Sequence, residues 1–208
     1  MTVIQGSPEW FAQRLGRVTA SRLADVVAKG KGGAEAATRA TYRAELVAER
    51  LTGKAAEGFT NAAMKWGTEC EPLARAVYEA ECGLLVTETG MVTHPNIPMS
   101  GASPDGLVSI DGLIEIKCPE TKGHIETILS DKAPTKYIPQ MQWQMACTCR
   151  AWCDFVSFDP RMPFDMQMFV RRVFRDDDLI AEYESAVVAF LAEVDNTVAR
   201  LIALKRSA

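Results

Sequence analysis

The N-terminal part of the chain begins with a helix signal. Ser7, Pro8 and Glu9 combine a capping hydroxyl, a first-turn proline and a first-turn acid, which is typical of a helix start. The helix is expected to end at Gly16 and to bear on its apolar side Trp10, Phe11 and Leu15.

Helical spacing of apolar residues continues after this segment. Thr19 is expected to cap a second helix, and the run 29–33, KGKGG, predicts a loop. Two longer helices are expected at about 38–52 and 61–82, and Gly83 would stop the second of them.

From residue 84 the pattern changes to short β-type runs separated by Gly, Pro or Asn. Asp111-Gly112 lies between the last two runs and predicts a two-residue hairpin loop, because this pair tolerates positive φ angles. The four predicted strands contain the runs LLVTE, MVTH, GLVSI and LIEIK.

The C-terminal half alternates between the two patterns. Helices are expected at about 122–130 and 135–148, and strands near 152–158 and 166–174. A long amphipathic helix, capped by Asp176, is expected to close the chain.

Length and composition favour one globular domain over residues 1–208. No apolar run approaches the roughly 20 residues that span a bilayer, and the N-terminus has no signal-peptide pattern, so a cytoplasmic protein without a membrane partner is expected. Without a secretory signal, reduced thiols are expected for the cysteines, which are Cys70, Cys82, Cys118, Cys147, Cys149 and Cys153.

Charge is unevenly distributed along the chain. The net charge of −4 argues against a protein that coats nucleic acid indiscriminately, because backbone affinity comes largely from Lys and Arg. Residues 1–54 carry nine Lys and Arg against five Asp and Glu, whereas residues 55–208 carry 14 against 22. A basic face is therefore expected in the N-terminal part, and ordinary solvated helix faces are the alternative.

Two acids and a lysine form the strongest candidate site. Asp105 stands just before the GLVSI run, and Glu115 and Lys117 lie two residues apart on the next run, so a hairpin would bring them together on one face. With the backbone carbonyl of Ile116, the carboxylates would suit Mg²⁺ or Mn²⁺, and such a site can hydrolyse a phosphodiester. The pattern alone is loose, and taken by itself it is better explained by an exposed ion pair and a turn.

Six blocks of sequence carry a more specific signal, because they occur together and in a fixed order. In content and order they resemble the YqaJ-like viral recombinase nucleases, the family of phage lambda exonuclease. The blocks are RLGRVTAS (14–21), WGTECE (66–71), SPDGL (103–107), EIKCP (115–119), YIPQMQ (137–142) and DPRM (159–162).

The resemblance implies an α/β fold with a restriction-endonuclease-like PD-(D/E)xK core, in which a central mixed sheet is flanked by helices. Asp105, Glu115 and Lys117 match the metal-binding and catalytic trio of this family. Glu71 matches an upstream helical acid that lines the site and could hold a metal-bound water or a second ion. Gln140 matches a helical glutamine near the catalytic lysine.

The resemblance also implies a pocket for the terminal 5′-phosphate of DNA. Arg14 and Ser21 match this pocket, and Thr19 to Ser21 would place a hydroxyl and free N–H groups at a helix N-terminus, which favours phosphate. Met64 falls where the family has an apolar residue that wedges apart the terminal base pair. Ordinary capping, solvation and helix packing are the alternatives for these residues.

The activity implied by the resemblance is Mg²⁺-dependent digestion of linear double-stranded DNA from its 5′ ends. Mononucleotides would be released and a 3′ single-stranded overhang would remain. A homotrimeric ring around DNA and a single-strand annealing protein as partner are also implied. Two alternatives stay open: a PD-(D/E)xK endonuclease, which would cut closed circular DNA, and a catalytically silent DNA-end-binding adaptor, which the intact trio disfavours.

Overall fold

The computed structural model describes residues 3–55 and 62–206, apart from the side chains of Met64 and Arg206. Seven helices lie in these ranges: α1 (Pro8–Arg14), α2 (Leu23–Val26), α3 (Ala37–Thr52), α4 (Ala62–Cys82), α5 (Thr121–Ser130), α6 (Ile138–Thr148) and α7 (Asp177–Arg206). Within the described part of the chain, none of them is long and apolar enough to cross a membrane.

Eight strands complete the described fold: β1 (Val18–Thr19), β2 (Val86–Thr87), β3 (Val92–Thr93), β4 (Ser100–Ala102), β5 (Gly106–Val108), β6 (Gly112–Lys117), β7 (Trp152–Phe158) and β8 (Met168–Phe174). They form a five-stranded sheet of order β2-β5-β6-β7-β8 and a small sheet of order β1-β4-β3. Each sheet is mixed, because β6 pairs with β7, and β1 with β4, in parallel, whereas their other pairs are antiparallel. The predicted α/β fold is confirmed.

The ends of several elements follow the predicted capping chemistry. The Ser7 hydroxyl accepts a hydrogen bond from the Trp10 N–H at 3.2 Å, and the Asp176 carboxylate accepts one from the Leu179 N–H at 3.0 Å. Gly83 follows α4 with a φ of 67°, the left-handed conformation that ends many helices. These three boundaries are confirmed.

Other boundaries differ from the predictions. No residue of α1 is buried, and Phe11 is 51% exposed, so this helix has no core-facing apolar side. The second helix is split into a 3₁₀ turn at Ala20–Arg22 and the single turn of α2. Another 3₁₀ turn, at Phe164–Met166, takes up the start of the last predicted strand. Strand β4 was not predicted, because its three residues, Ser-Gly-Ala, are all buried and show no alternation.

The hairpin between β5 and β6 has a longer loop than predicted. Val108 pairs with Gly112, so the loop consists of residues 109–111, and Ser109 takes the positive φ of 52°. Gly112 belongs to the strand, where a Cβ atom would lie 2.1 Å from the ring of Trp152. The two-residue Asp111-Gly112 turn was therefore wrong, since packing against Trp152, rather than turn geometry, requires this glycine.

Strand β6 is buried on both faces. Ile114 and Ile116 point into a cluster that Tyr78 of α4 completes, whereas Leu113 packs with Met141 and Phe155 on the opposite face. A third cluster joins α2, α3, α6 and α7 around the buried side chains of Tyr42, Trp143 and Phe190. Because α4 and α6 cover opposite faces of β6, polar side chains on this strand face protein rather than bulk water.

Several of the N-terminal arginines are paired with acids from other elements. Arg39 and Arg43 of α3 both bind Glu193 of α7, at 2.8 and 2.6 Å. Arg50 of α3 forms an ion pair with Asp195 of α7. Part of the positive charge in residues 1–54 therefore serves helix packing and does not contribute to the predicted basic face.

Replacing Gly112 by Ala is expected to destabilise the fold by about 2 kcal/mol, because the added methyl group would overlap the Trp152 ring. Gly67→Ala in α4 is the matched control, since a Cβ there meets no described atom within 4 Å. The control should gain roughly 0.5–1 kcal/mol from helix propensity. Urea denaturation would measure both variants, and a Gly112→Ala protein as stable as the wild type would refute this account of the hairpin.

Candidate active site

The hairpin brings Asp105, Glu115 and Lys117 together. Glu115 has no exposed surface, and the Lys117 ammonium group donates a hydrogen bond to its Oε1. Asp105 lies immediately before β5, and its Oδ2 accepts the N–H of Ile116 at 2.6 Å. The backbone of β6 thus holds the first acid beside the strand that carries the second acid and the lysine.

Two glutamines of α6 bind the same buried carboxylate. The Gln140 amide donates to Glu115 Oε1 at 2.6 Å, and the Gln144 amide donates to Oε2 at 2.6 Å. Residues four apart share one face of a helix, so Gln144 follows Gln140 towards the strand. Gln144 was not predicted as a site residue. Its position four residues after Gln140, on the same helix face, was the feature of the sequence that could have indicated it. Its Oε1 is buried and has no hydrogen-bond partner among the described residues.

The charges of the site act strongly on one another. Desolvation and the negative charges of Glu115 and Glu71 raise the pKa of Asp105 well above its ordinary value. Desolvation would lower the pKa of Lys117, but the neighbouring carboxylates of Glu115 and Asp105 outweigh it and raise this pKa. Lys117 is therefore a cation at neutral pH, and it donates hydrogen bonds.

Glu71 lies on α4, at the edge of the same group. Its carboxylate accepts a hydrogen bond from Arg75 at 2.7 Å, one helical turn away, and Arg75 also binds Glu88. Burial raises the pKa of Glu71, and the nearby charge of Glu115 adds to this effect, while Arg75 opposes it. Three carboxylates therefore repel one another at this place.

This donor set fits a hard divalent cation. Within residues 3–55 and 62–206, no group of three or more His, Cys, Asp or Glu side chains is arranged to enclose an ion. Mg²⁺, however, is commonly held by one or two carboxylates, with water and phosphate oxygens as the remaining ligands. Asp105 and Glu115 can supply these carboxylates, and the repulsion that raises the pKa of Asp105 is what a cation would relieve.

Arg14 and Ser21 lie together, and a chain of contacts connects them to Ser103, close to Asp105 in the chain. The guanidinium group of Arg14 donates to the Ser21 hydroxyl at 3.4 Å and lies 4.1 Å from the centre of the Trp10 ring. The Trp10 indole donates to the Ser103 hydroxyl at 2.9 Å, two residues before Asp105. Neither Trp10 nor Ser103 was predicted to act at the site, because their connection spans 93 residues.

Thr19 differs from its prediction as a helix cap. It lies in β1, it is buried, and its side chain makes no capping hydrogen bond to the 3₁₀ turn that follows. Its N–H donates to the Tyr42 hydroxyl at 3.1 Å and is thus not free to bind phosphate. A helical N-terminus does lie at residues 19–21, because Thr19 is the N-cap residue of the 3₁₀ turn Ala20–Arg22, but the predicted side-chain cap is absent. The hydroxyl groups of Thr19 and Ser21 are 3.4 Å apart. The side chain of Met64, the predicted wedge, lies outside the described residues.

The DPRM and WGTECE blocks meet beside the site. The buried carboxylate of Asp159 accepts hydrogen bonds from Arg161 at 2.7 Å and from Thr121 at 2.6 Å. Arg161 lies 4.5 Å from the centre of the Trp66 ring on α4. Burial alone would raise the pKa of Asp159, but these hydrogen bonds lower it to about 2. The cluster fixes the helix that carries Glu71 against the end of β7.

Comparisons with known proteins agree with this geometry. Residues 9–151 match the sequence profile of the YqaJ-like viral recombinase domain. The chain is 56% identical to LHK-Exo, an alkaline exonuclease from Laribacter hongkongensis, with a TM-score of 0.90 over 97% of this chain and 99% of that one. The same exonuclease in complex with dAMP superimposes with a TM-score of 0.91.

A more distant structure shares the fold. The phage related exonuclease from Haemophilus somnus 129PT is 19% identical, with a TM-score of 0.67 over 89% of this chain and 96% of that one. A comparison with proteins of curated function returned no significant match. The core is thus of the PD-(D/E)xK type, as its similarity to the alkaline exonuclease structure shows.

The pKa of Asp159 makes a prediction for stability. Because the folded-state pKa of about 2 is below the unfolded value near 3.9, the Asp159 contacts stabilise the fold by about 2 kcal/mol above pH 5. This contribution should disappear as the pH falls towards 2. Urea denaturation from pH 3 to 7 should show the difference between wild type and Asp159→Asn shrinking at acid pH. Asp165→Asn, at an exposed position, is the control, and a pH-independent difference would contradict the assignment.

Proposed function

The chain belongs to the family of YqaJ-like viral recombinase domains, and on this premise we propose that it is a Mg²⁺-dependent exonuclease that digests linear double-stranded DNA from 5′ to 3′. The proposal rests above all on one observation: the contacts from Arg14 through Trp10 reach Ser103, which is two residues before Asp105. A strand end held at Arg14 would therefore lie beside the acids that can bind the metal ion.

Arg14 and Ser21 would bind the terminal 5′-phosphate. A guanidinium group offers several donors to a phosphate, and its stacking on Trp10 limits its freedom before the ligand arrives. The Ser21 hydroxyl adds a donor at the same place. A 5′-hydroxyl end would leave these groups without their anionic partner, so selection of a phosphorylated end follows from charge.

Asp105 and Glu115 would hold Mg²⁺, or Mn²⁺ in its place, together with the carbonyl of Ile116 and with Glu71 at the edge. When bound, the ion would act as a Lewis acid on the scissile phosphate and lower the pKa of a bound water. Gln140 and Gln144 fix the orientation of Glu115 by donating to its two oxygens. Because Lys117 is charged, it would orient the attacking water and offset negative charge on the phosphate.

The reaction is hydrolysis of one phosphodiester at a time. Water adds to phosphorus, the bond from phosphorus to the O3′ of the terminal nucleotide breaks, and O3′ leaves with a proton. The terminal nucleotide is released as a 5′-mononucleotide, and the new 5′-phosphate stays on the shortened strand. Repetition leaves a 3′ single-stranded overhang, which a single-strand annealing protein would use in recombination.

A homotrimeric ring is part of the proposal. The chain has a net charge of −4, and several of its arginines are paired with acids of α7, so a single copy offers limited positive charge to DNA. Three copies around a central channel would place their remaining cations around one duplex and keep the enzyme on its substrate.

The central test uses linear duplexes that differ only in 5′ phosphorylation, with a closed circular duplex alongside, in the presence and absence of Mg²⁺. We expect nucleotides from the linear 5′-phosphorylated duplex alone, and only with the metal ion. Cutting of the closed circle would indicate an endonuclease. Binding of ends without any release of nucleotides would indicate an end-binding adaptor.

Lys117→Ala is expected to lower the rate constant of cleavage at least 100-fold, because one charged donor to the scissile phosphate is removed. DNA binding should change little. Single-turnover digestion of an end-labelled duplex would measure the rate, and circular dichroism would check that the variant is folded. Lys122→Ala removes a lysine that is 87% exposed and should behave as the wild type. A near-normal rate for Lys117→Ala would show that the lysine has another role.

Arg14→Ala is expected to reduce the preference for a 5′-phosphorylated over a 5′-hydroxyl end by roughly 10- to 100-fold, the equivalent of one or two charge-assisted hydrogen bonds. Digestion of the two substrates in competition would give the ratio. Arg17→Ala is the matched control, because Arg17 donates to the carbonyl of Pro98 and does not contact Ser21 in the described residues. An unchanged preference in Arg14→Ala would remove the phosphate pocket from the proposal.

A further inference from the structure

A cavity of about 510 Å³ opens next to Lys117. Phe155 and Ser157 of the sheet form one wall, α5 forms the other, and the segment 132–137 forms the rim. This volume is within the 300–1,000 Å³ that is typical of small-molecule sites. Of the side chains that line it, only Lys117 has a role assigned so far.

The cavity and the Arg14 pocket lie on opposite sides of the catalytic lysine. Lys117 pairs with Ser157 and Glu115 with Phe155, so the cavity is on the β7 side of β6. Asp105 is on the β5 side of β6. The contacts of Arg14 with Trp10, and of Trp10 with Ser103, are also on this side. A strand that runs from Arg14 past Asp105 and Lys117 therefore reaches the cavity next.

The rim of the cavity is positively charged. Lys132 and Lys136 are exposed, and neither has an acidic partner within 4.0 Å in the described part of the chain. This distinguishes them from the paired arginines of α3. Glu126 also lines the cavity, but it faces Lys122 at 3.8 Å. The rim thus offers two uncompensated cations to an anionic ligand.

The inner surface is suited to a base or sugar. Phe155 and Tyr137 stack with ring centres 5.6 Å apart, and Pro119 and Ala133 complete a mainly apolar lining. The Ser157 hydroxyl is already hydrogen-bonded to His124 at 2.8 Å. Apolar walls with a cationic rim match the chemistry of a nucleotide, whose base is flat and whose phosphates are charged.

We propose that this cavity holds the second nucleotide of the digested strand, the one on the 3′ side of the bond that is cut. Its base and sugar lie against Tyr137, Pro119 and Ala133, and the next phosphate lies between Lys132 and Lys136. The inference rests on the proposed 5′ to 3′ activity and adds a second binding subsite to it. The site would thereby bind the strand on both sides of the scissile phosphate.

The test combines a cavity-filling variant with a modified substrate. Ala133→Trp would fill the cavity, and the substrate would be a 5′-phosphorylated duplex without a base at its second nucleotide. For the wild type, removal of this base should lower kcat/KM for the first cut about tenfold, the equivalent of one base stacked on an aromatic ring. Ala133→Trp should show a similar decrease on the normal substrate and no further decrease on the modified one.

Controls separate the subsite from the activity on which it rests. Ala192→Trp, at an exposed position of α7, should keep the wild-type response, and so should removal of the tenth base instead of the second. If the wild type digests both substrates equally, or if Ala133→Trp loses as much as the wild type on removal of the second base, the subsite is refuted while the exonuclease activity stands. If the wild type releases no nucleotide from either substrate, the proposed activity itself fails.

The rim lysines give an independent measurement. The double variant Lys132→Ala/Lys136→Ala should raise KM more than it lowers kcat. The slope of the logarithm of DNA affinity against the logarithm of salt concentration should also become shallower. The expected change is about 0.7–0.9 for each phosphate that is no longer neutralised by a lysine. Lys205→Ala serves as the control, because this lysine is exposed on α7 and does not line the cavity. An unchanged salt dependence in the double variant would refute the binding of phosphate by Lys132 and Lys136.

Discussion

A carboxylate without exposed surface is costly unless charge and hydrogen bonds compensate it, and Glu115 imposes this requirement on the whole site. Lys117 supplies the charge, and Gln140 and Gln144 supply donors to both oxygens. The requirement explains why α6 packs against β6 with two polar side chains in an otherwise apolar contact. It also explains why Lys117 stays charged in spite of its partial burial.

The same carboxylate determines where the other functional groups lie. Asp105 is bound to the backbone of the strand that carries Glu115, so the two acids keep their separation as long as β5 and β6 stay in register. The Arg14 pocket reaches the site through Ser103 on one side, and the cavity at Ala133 reaches it through Lys117 on the other. In the proposed mechanism, the catalytic centre is the middle of a longer surface along which a single strand of DNA would lie.

Much of this site follows from short-range pattern, and the rest depends on distant contacts. The period of two on β6 places Glu115 and Lys117 on one face, and the turn before it brings Asp105 close. Gln144 was missed because an isolated helical glutamine is usually solvated, and only the fold shows that it faces a buried acid. Gly112 was assigned to the turn because Trp152, which excludes a side chain there, is 40 residues away. Likewise, acids of α7 neutralise arginines of α3. The net charge of residues 1–54 alone cannot predict this pairing, because the acids lie at the other end of the chain.

The chain order of these groups also bears on how the protein folds. Asp105 and Ile116 are 11 residues apart, and Gln140 and Gln144 are 25 and 29 residues from Glu115. The contact that joins Trp10 to Ser103 spans 93 residues. The entropy cost of loop closure grows with loop length. The contacts of Glu115 and Asp105 can therefore form within residues 105–144 before Trp10 docks against Ser103. The pocket proposed to bind the DNA end would then form later than the catalytic centre as the chain folds.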